Sequence, residues 1–218
     1  MYNPATLSPM RSVLAAVQPS MARAWRAHCS DLPFAEVHEG SILDLNVDAV
    51  VSPANSFGFM DGGIDAVYLD HFGRQLQDRL REVIVEQHAG ELLVGTAAIL
   101  PTGASTIRHL IAAPTMRVPM ILRDSVNPYL AARAVLLLLR DGTFTDGVPV
   151  SDRVRSVAFP GLGTGIGQIS PNICAHQVRA AIDEVVLGKH AMPRSWAEAS
   201  ERHQLLYTDR LTRLQHRR

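Results

Sequence analysis

The chain of 218 residues has little that would tie it to a membrane, a metal or a polyanion. Its densest apolar stretch, Ala131 to Leu139, is broken by Arg133 and bounded by Arg140. No stretch approaches the roughly 18 residues of a membrane span, so this one reads as a core helix. Cysteine is nearly absent. Cys29 and Cys174 alone build neither a disulfide framework nor a zinc site, and they read as buried free thiols in a reducing compartment. Net charge is absent as well: 21 Lys plus Arg balance 21 Asp plus Glu, which removes the basic field expected of a nucleic-acid binder. His71, His88, His109 and His176 are scattered without metal-ligand spacing, so neither a metal nor another cofactor is expected. Arg11 is followed by no long apolar segment and Pro19 interrupts early. That pattern argues against a signal peptide and for a cytoplasmic protein. Repeats and low-complexity segments are also missing. What is present, 47% hydrophobic and 19% charged residues, suits one substantial globular domain.

Short runs rich in Val, Ile and Ala predict strands at Ser12–Val17, Phe34–His38, Asp48–Ser52, Thr96–Leu100, Arg108–Ala113 and Arg155–Phe159. Each ends near Gly, Pro, Ser or Asp, as buried strands do. Helical spacing of apolar residues predicts helices over Pro19–Cys29, Ile64–Gln87 and Pro128–Arg140, the last stopped by Asp141-Gly142. A fourth helix has Ser170 at its N-cap, Pro171 at the first helical position and Gly188 as a C-terminal stop. Continuous apolar strands separated by helices predict an α/β sandwich whose sheet is buried on both faces. From residue 189 the composition turns basic and polar, with Trp196, Leu205, Leu206, Leu211 and Leu214 interleaved. A packed helical extension is the expectation there, and the basic tail leaves a nucleic-acid partner open.

Two glycine-rich segments follow predicted strands, at the strand ends where α/β folds place their ligands. In "FPGLGTGIGQISP", glycines 161, 163, 165 and 167 let backbone amides converge on an anion, with Thr164 as an added hydroxyl donor. Neither the Walker spacing nor the dinucleotide fingerprint is present, and a tight strand-to-helix connection explains the glycines equally well. In "SPANSFGFMDGGID", Asn55 lies just beyond a strand, Gly62-Gly63 allows close backbone approach, and Asp65 falls in the first turn of the next helix. A turn residue and an N-terminal helix acid would be silent in those places. The same place, beside a helix N-terminus, keeps a carboxylate available as an acceptor or base.

Together these loops resemble the macrodomain family of ADP-ribose-binding modules. "VDAVVSPANSFGFMDGGID" is similar to that family's Val-Asp-Ala-Ile-Val-Asn-Ala-Ala-Asn run with its following glycines. "VRSVAFPGLGTGIG" is similar to its second phosphate loop. The spacing from Asn55 to Gly62-Gly63-Ile64-Asp65 resembles the MacroD-type hydrolase branch. The resemblance implies a three-layer α/β/α sandwich with a mixed, mostly parallel central sheet. It divides the chain into a leading strand and helix (1–33) packed onto the domain, a core (34–188) and the basic extension (189–218). It further implies that Asn55 orients the distal ribose of ADP-ribose, and that Asp65 binds that ribose or activates a water. Ser41, Ile42, Ala54, Gly62, Gly63, Ile64, Gly161, Gly163, Thr164, Gly165, Ile166 and Gly167 would complete the ligand site.

Three positions depart from the family pattern. Gly40-Ser41-Ile42-Leu43 replaces Gly-Asp-Ile-Thr, so Ser41 stands for the aspartate that reads the adenine amino group, and Asp44 is out of register. Ser52 stands for the first asparagine of the Asn-Ala-Ala-Asn run. No aromatic follows Gly165-Ile166, which leaves Phe57 or Phe59 to shield the distal ribose from the opposite loop, and "APTMRVPM", Ala113 to Met120, to supply further contacts. The resemblance implies hydrolysis of ADP-ribosyl esters, with ADP-ribose or ADP-ribosylated protein as the partner. The alternative is a non-catalytic reader of ADP-ribose or a related nucleotide.

Overall fold

The computed structural model describes residues 10–210. Along the chain these form β1 (Arg11–Ala16), α1 (Pro19–Cys29), β2 (Ala35–Glu39), a 3-10 turn (Ile42–Asp44), β3 (Ala49–Ser52), α2 (Gly63–Phe72) and α3 (Gln75–His88). There follow β4 (Ala98–Pro101), β5 (His109–Ala112), α4 (Asn127–Asp141), α5 (Val150–Arg153), β6 (Ser156–Phe159), α6 (Pro171–Val185) and α7 (Trp196–Leu205). The strands join one sheet in the order β2-β1-β6-β3-β5-β4. All neighbours are parallel except β4, which runs antiparallel to β5 at the edge. β1 lies inside this sheet, bonded to β2 on one side and β6 on the other, so the leading strand is part of the core rather than a cap on it.

Side-chain alternation along the strands builds the three layers. Leu14, Val51, Ile111, Val157 and Phe159 face one hydrophobic core with Trp25 of α1, Val135 of α4 and Val178 of α6. Their neighbours Val13, Val50, Leu110 and Ala158 face a second core with Tyr68 and Phe72 of α2 and Leu76, Leu80 and Ile84 of α3. The expected sandwich is thus present, with its sheet covered on both faces. Cys29 and Cys174 are buried free thiols in the first core, and burial pushes both up to about 12. No helix among the described residues is long and apolar enough to cross a membrane.

One expected helix is two. The apolar period over Ile64–Gln87 runs on without a break, but the backbone leaves the helix at Gly73, which adopts φ 89° and closes α2 by donating its N–H to the Leu69 carbonyl. Gln75 then folds its side-chain amide back to the Phe72 carbonyl at 2.6 Å. Its amide occupies the space a β-carbon on residue 73 would need. Ser170 caps α6 as its position implied, with Oγ accepting the Ile173 N–H at 3.3 Å. In the extension, Ser195 caps α7 and Gln204 is buried, whereas Trp196 stands in solvent. Leu211 and Leu214 lie outside the described residues.

At the end of the sheet away from the glycine loops, Asp48 ties three strands together. It accepts bonds from the Arg155 and Ser156 N–H groups and the Ser156 hydroxyl at 2.9–3.0 Å, and from Arg108. Burial alone would raise this carboxyl, but the donors outweigh it and hold it below the ordinary value of 3.8. A depressed carboxyl stabilises the fold above its unfolded pKa, and that stabilisation fades as pH falls through the lower folded value. Asp48→Ala is expected to cost about 1–2 kcal/mol at pH 7, because the part-buried Ser156 N–H and hydroxyl lose their acceptor, while the exposed Arg155 N–H and Arg108 turn to water. Urea unfolding at pH 7 and pH 3 checks this, with the larger deficit expected at pH 7.

Candidate functional site

The parallel strands all point their carboxyl ends at one cavity of about 390 Å³, a size suited to a small-molecule site. Because the sheet order is fixed, so is the order of the walls. The β1–α1 junction (Ala15 to Gln18) and the turn after β2 (Gly40 to Ile42) make one end. The loop after β6 makes the middle, and the loop after β3 with the start of α2 makes the other end. Among the described residues, Asp61 and Asp65 are the only ionisable side chains on the wall, and no Lys, Arg or His lines it. An anion held here must therefore be held by backbone and hydroxyl donors.

Those donors are present in two sets. Within the loop after β6, the N–H groups of residues 163–167 have no protein acceptor among the described residues. The loop keeps its shape through bonds made by other atoms. Gly163, at φ 68°, accepts from the Ile169 N–H at 3.0 Å, and Gly167 accepts from the Leu122 N–H at 2.8 Å. The second set is the N-terminus of α2, whose first intrahelical bond runs from the Ala66 N–H to the Gly62 carbonyl. This leaves the amides of Gly63, Ile64 and Asp65 without helical acceptors, at the positive end of the helix dipole. The two sets face each other: a β-carbon on Gly62 would stand 3.1 Å from the Ile166 side chain of the opposite loop. Thr164 contributes less than its residue type suggests, because its hydroxyl donates to the Gly161 carbonyl at 3.1 Å.

Asp65 lies at the far end, on the first turn of α2, and is almost fully buried at 6% exposure. Burial raises its carboxyl from 3.8 to about 7, and a 2.6 Å bond donated by the Ser52 hydroxyl pulls in the opposite direction. A carboxyl poised near neutrality is suited to taking a proton from water. Asn55 also lines the cavity, and its amide is largely committed to its own loop. Oδ1 accepts from the Phe57 and Phe59 N–H groups at 3.1 and 3.3 Å, and Nδ2 donates to the Phe59 carbonyl at 2.7 Å. One Nδ2 hydrogen is left for a ligand.

The candidate aromatics separate cleanly. Phe59 is 47% exposed, lines the cavity and carries the Arg81 guanidinium 4.6 Å from its ring centroid. Phe57 sits off the cavity beneath Arg117. The segment Ala113–Met120 does supply wall, through Thr115, Met116 and Pro119. It is held there by continuing the β3–β5 pairing beyond the strands, with the Thr115 N–H bonded to the Ala54 carbonyl and the Ser56 N–H to the Arg117 carbonyl. Ser41 lines the opposite end, where its Oγ accepts the Leu43 N–H at 3.2 Å and opens the 3-10 turn. Asp44 is exposed and off the wall, so among the described residues no carboxylate replaces the one missing at Ser41. Residue patterns did not pick out Asp61 or the β1–α1 wall of Ala15, Val17, Gln18 and Met21. The one available signal for that wall was a strand ending just before the Pro19 helix start.

The chain is similar in sequence and fold to several known proteins. The Macro domain family model matches residues 51–178. A protein of Aquifex aeolicus is 31% identical over 150 residues, covering 69% of this chain and 79% of its own length. An Aeropyrum pernix protein is 30% identical over 135 residues, and the chain spans 62% of its length. The O-acetyl-ADP-ribose deacetylase of Salmonella gallinarum is 30% identical over 133 residues, 60% of this chain and 67% of that protein. Among solved structures, the Oceanobacillus iheyensis macrodomain with ADP superposes with a TM-score of 0.56 at 18% identity, covering 77% of this chain and 84% of that one. The macrodomain of Mycobacterium tuberculosis DarG superposes with a TM-score of 0.54 at 19% identity, covering 67% and 88%. The matched segment takes in both amide-rich loops and the helix that carries Asp65, and on that footing the chain belongs to the Macro domain family.

Proposed function

We propose that the cavity binds ADP-ribose and that the protein hydrolyses ADP-ribosyl esters, releasing mono-ADP-ribose from acidic side chains or from a related ester. The observation that carries this is the placement of one buried carboxyl with a pKa near 7 beside two facing sets of unpaired amides. The cavity is graded in chemistry along its length. Its uncharged end at Val17 and Ile42 suits a neutral heterocycle, its amide-rich middle suits a diphosphate, and its carboxylate end suits a sugar carbon under attack. The Salmonella relative is an O-acetyl-ADP-ribose deacetylase by name, and a Trypanosoma brucei macrodomain of the same fold was solved with ADP-ribose.

In the proposed reaction Asp65 takes a proton from water as the water oxygen bonds to the anomeric carbon of the distal ribose. The ester carbon–oxygen bond breaks, the side-chain carboxylate leaves with the electron pair, and Asp65 returns its proton to solvent. A carboxylate is a competent leaving group, so one base and good positioning suffice. Asn55 directs its remaining N–H to the ribose, and Phe59 covers the sugar. The test is release of ADP-ribose from a peptide carrying one ADP-ribosylated glutamate. Multiple-turnover release that climbs with pH around 7 is expected. Saturable binding of ADP-ribose without release would favour the reader over the hydrolase, a role in which the amide loops serve alone.

A further inference from the structure

Ser52 is the last residue of β3, and strand alternation turns its side chain to the same face as Val50, beneath α2. There its hydroxyl donates to Oδ1 of Asp65 at 2.6 Å. Ser52 is fully buried and absent from the cavity wall, whereas Asp65 lines it. The two side chains lie on different elements, thirteen residues apart, and meet only because α2 packs over the strand end. Asp65 has no other side-chain donor among the described residues, so Oδ2 is the oxygen left for the cavity.

We infer that Ser52 is a positioning residue for the proposed reaction, orienting the Asp65 carboxylate with Oδ2 toward substrate and favouring its ionised form. This rests on Asp65 acting as the base. Ser52 is not itself a nucleophile, because its oxygen does not reach the cavity. Few other groups compete for control of Asp65. The Tyr68 phenol, one turn along α2, is buried and spends its proton on the Val51 carbonyl at 3.1 Å. Asp61 shares the cavity from the preceding loop, and β6, its loop and the segment after β5 present no charged side chain to it. With burial pushing the carboxyl up and one hydroxyl pulling it down, loss of that hydroxyl leaves burial unopposed.

The test reads Asp65 directly, by carbon-13 NMR titration of the side-chain carboxyl, alongside the pH profile of ester release. Ser52→Ala is expected to raise the apparent pKa by about one unit, a tenfold loss of ionised carboxylate on the acidic side. The rising limb of the release profile is expected to move by the same amount. Ser52→Thr, which keeps the hydroxyl, is expected to restore both. A Ser52→Ala titration that overlays the wild type overturns the assignment. Where Ser52→Ala does not fold, Ser52→Cys keeps the size with a weaker donor, and an unchanged titration there overturns it equally. A shifted titration in a protein that releases no ADP-ribose supports the Ser52 contact and defeats the hydrolase reading, so the two failures are distinguishable.

Discussion

Asp65→Ala is expected to slow ADP-ribose release by a hundredfold or more while leaving ADP-ribose binding within about fivefold. General-base catalysis contributes about 10²–10⁴ in rate, and in the proposed complex the diphosphate rests on amides that the substitution leaves in place. The same residue predicts an effect on stability, with a definite sign. A carboxyl raised from 3.8 to about 7 in the folded protein binds its proton more tightly there than in the unfolded chain. Stability is therefore greatest from this group below pH 4 and declines as pH rises toward 7, by as much as about 4 kcal/mol. Asp65→Asn removes that titration. Its melting temperature is expected to exceed the wild type's at pH 8 and to approach it at pH 4. Release that survives Asp65→Ala would remove the base from the mechanism, whatever the melting curves show.

Gly167→Ala is expected to weaken ADP-ribose binding at least tenfold. A β-carbon at residue 167 would stand 2.6 Å from the Gly163 carbonyl oxygen and 2.9 Å from Leu122. The first contact is with backbone, so no rotamer change relieves it and the loop itself must shift. That loop carries the amides of residues 163–167, which have no protein acceptor among the described residues, and the proposed diphosphate site depends on their arrangement. Gly165 provides the contrast, since a β-carbon there meets nothing within 4 Å. Gly165→Ala is expected to keep the wild-type melting temperature, whereas Gly167→Ala lowers it by several degrees. Binding by Gly167→Ala within twofold of wild type would show that the loop's shape does not govern affinity.

The strands, the Ser170 cap and the two glycine loops could be read from residue patterns because each depends on local chemistry. Buried parallel strands are apolar throughout, an N-cap needs its hydroxyl at one position, and a loop that exposes its amides needs small residues. What escaped was non-local. The break at Gly73 leaves the apolar period intact, and it is set by a backbone angle and by the Gln75 amide folding back. The family resemblance makes Asn55 a ligand contact, yet three bonds to its own loop take up most of its amide. Thr164 was a donor on paper and spends its hydrogen on Gly161. The Ser52–Asp65 pair required the packing of α2 on β3, and Ser52 stood out in the sequence only as a departure from the family pattern. The wall at Ala15–Gln18 followed from β1 lying inside the sheet, beside β6.

In the proposed complex this cavity, with no lysine or arginine on its wall among the described residues, holds a dianionic diphosphate through backbone amides. Calorimetric titration of the wild-type protein with ADP-ribose at pH 7.5 tests it most directly. One saturable site with a micromolar dissociation constant, weakened at least tenfold in Gly167→Ala, is expected. No detectable heat at millimolar ADP-ribose, or equal affinity in the two proteins, would contradict it.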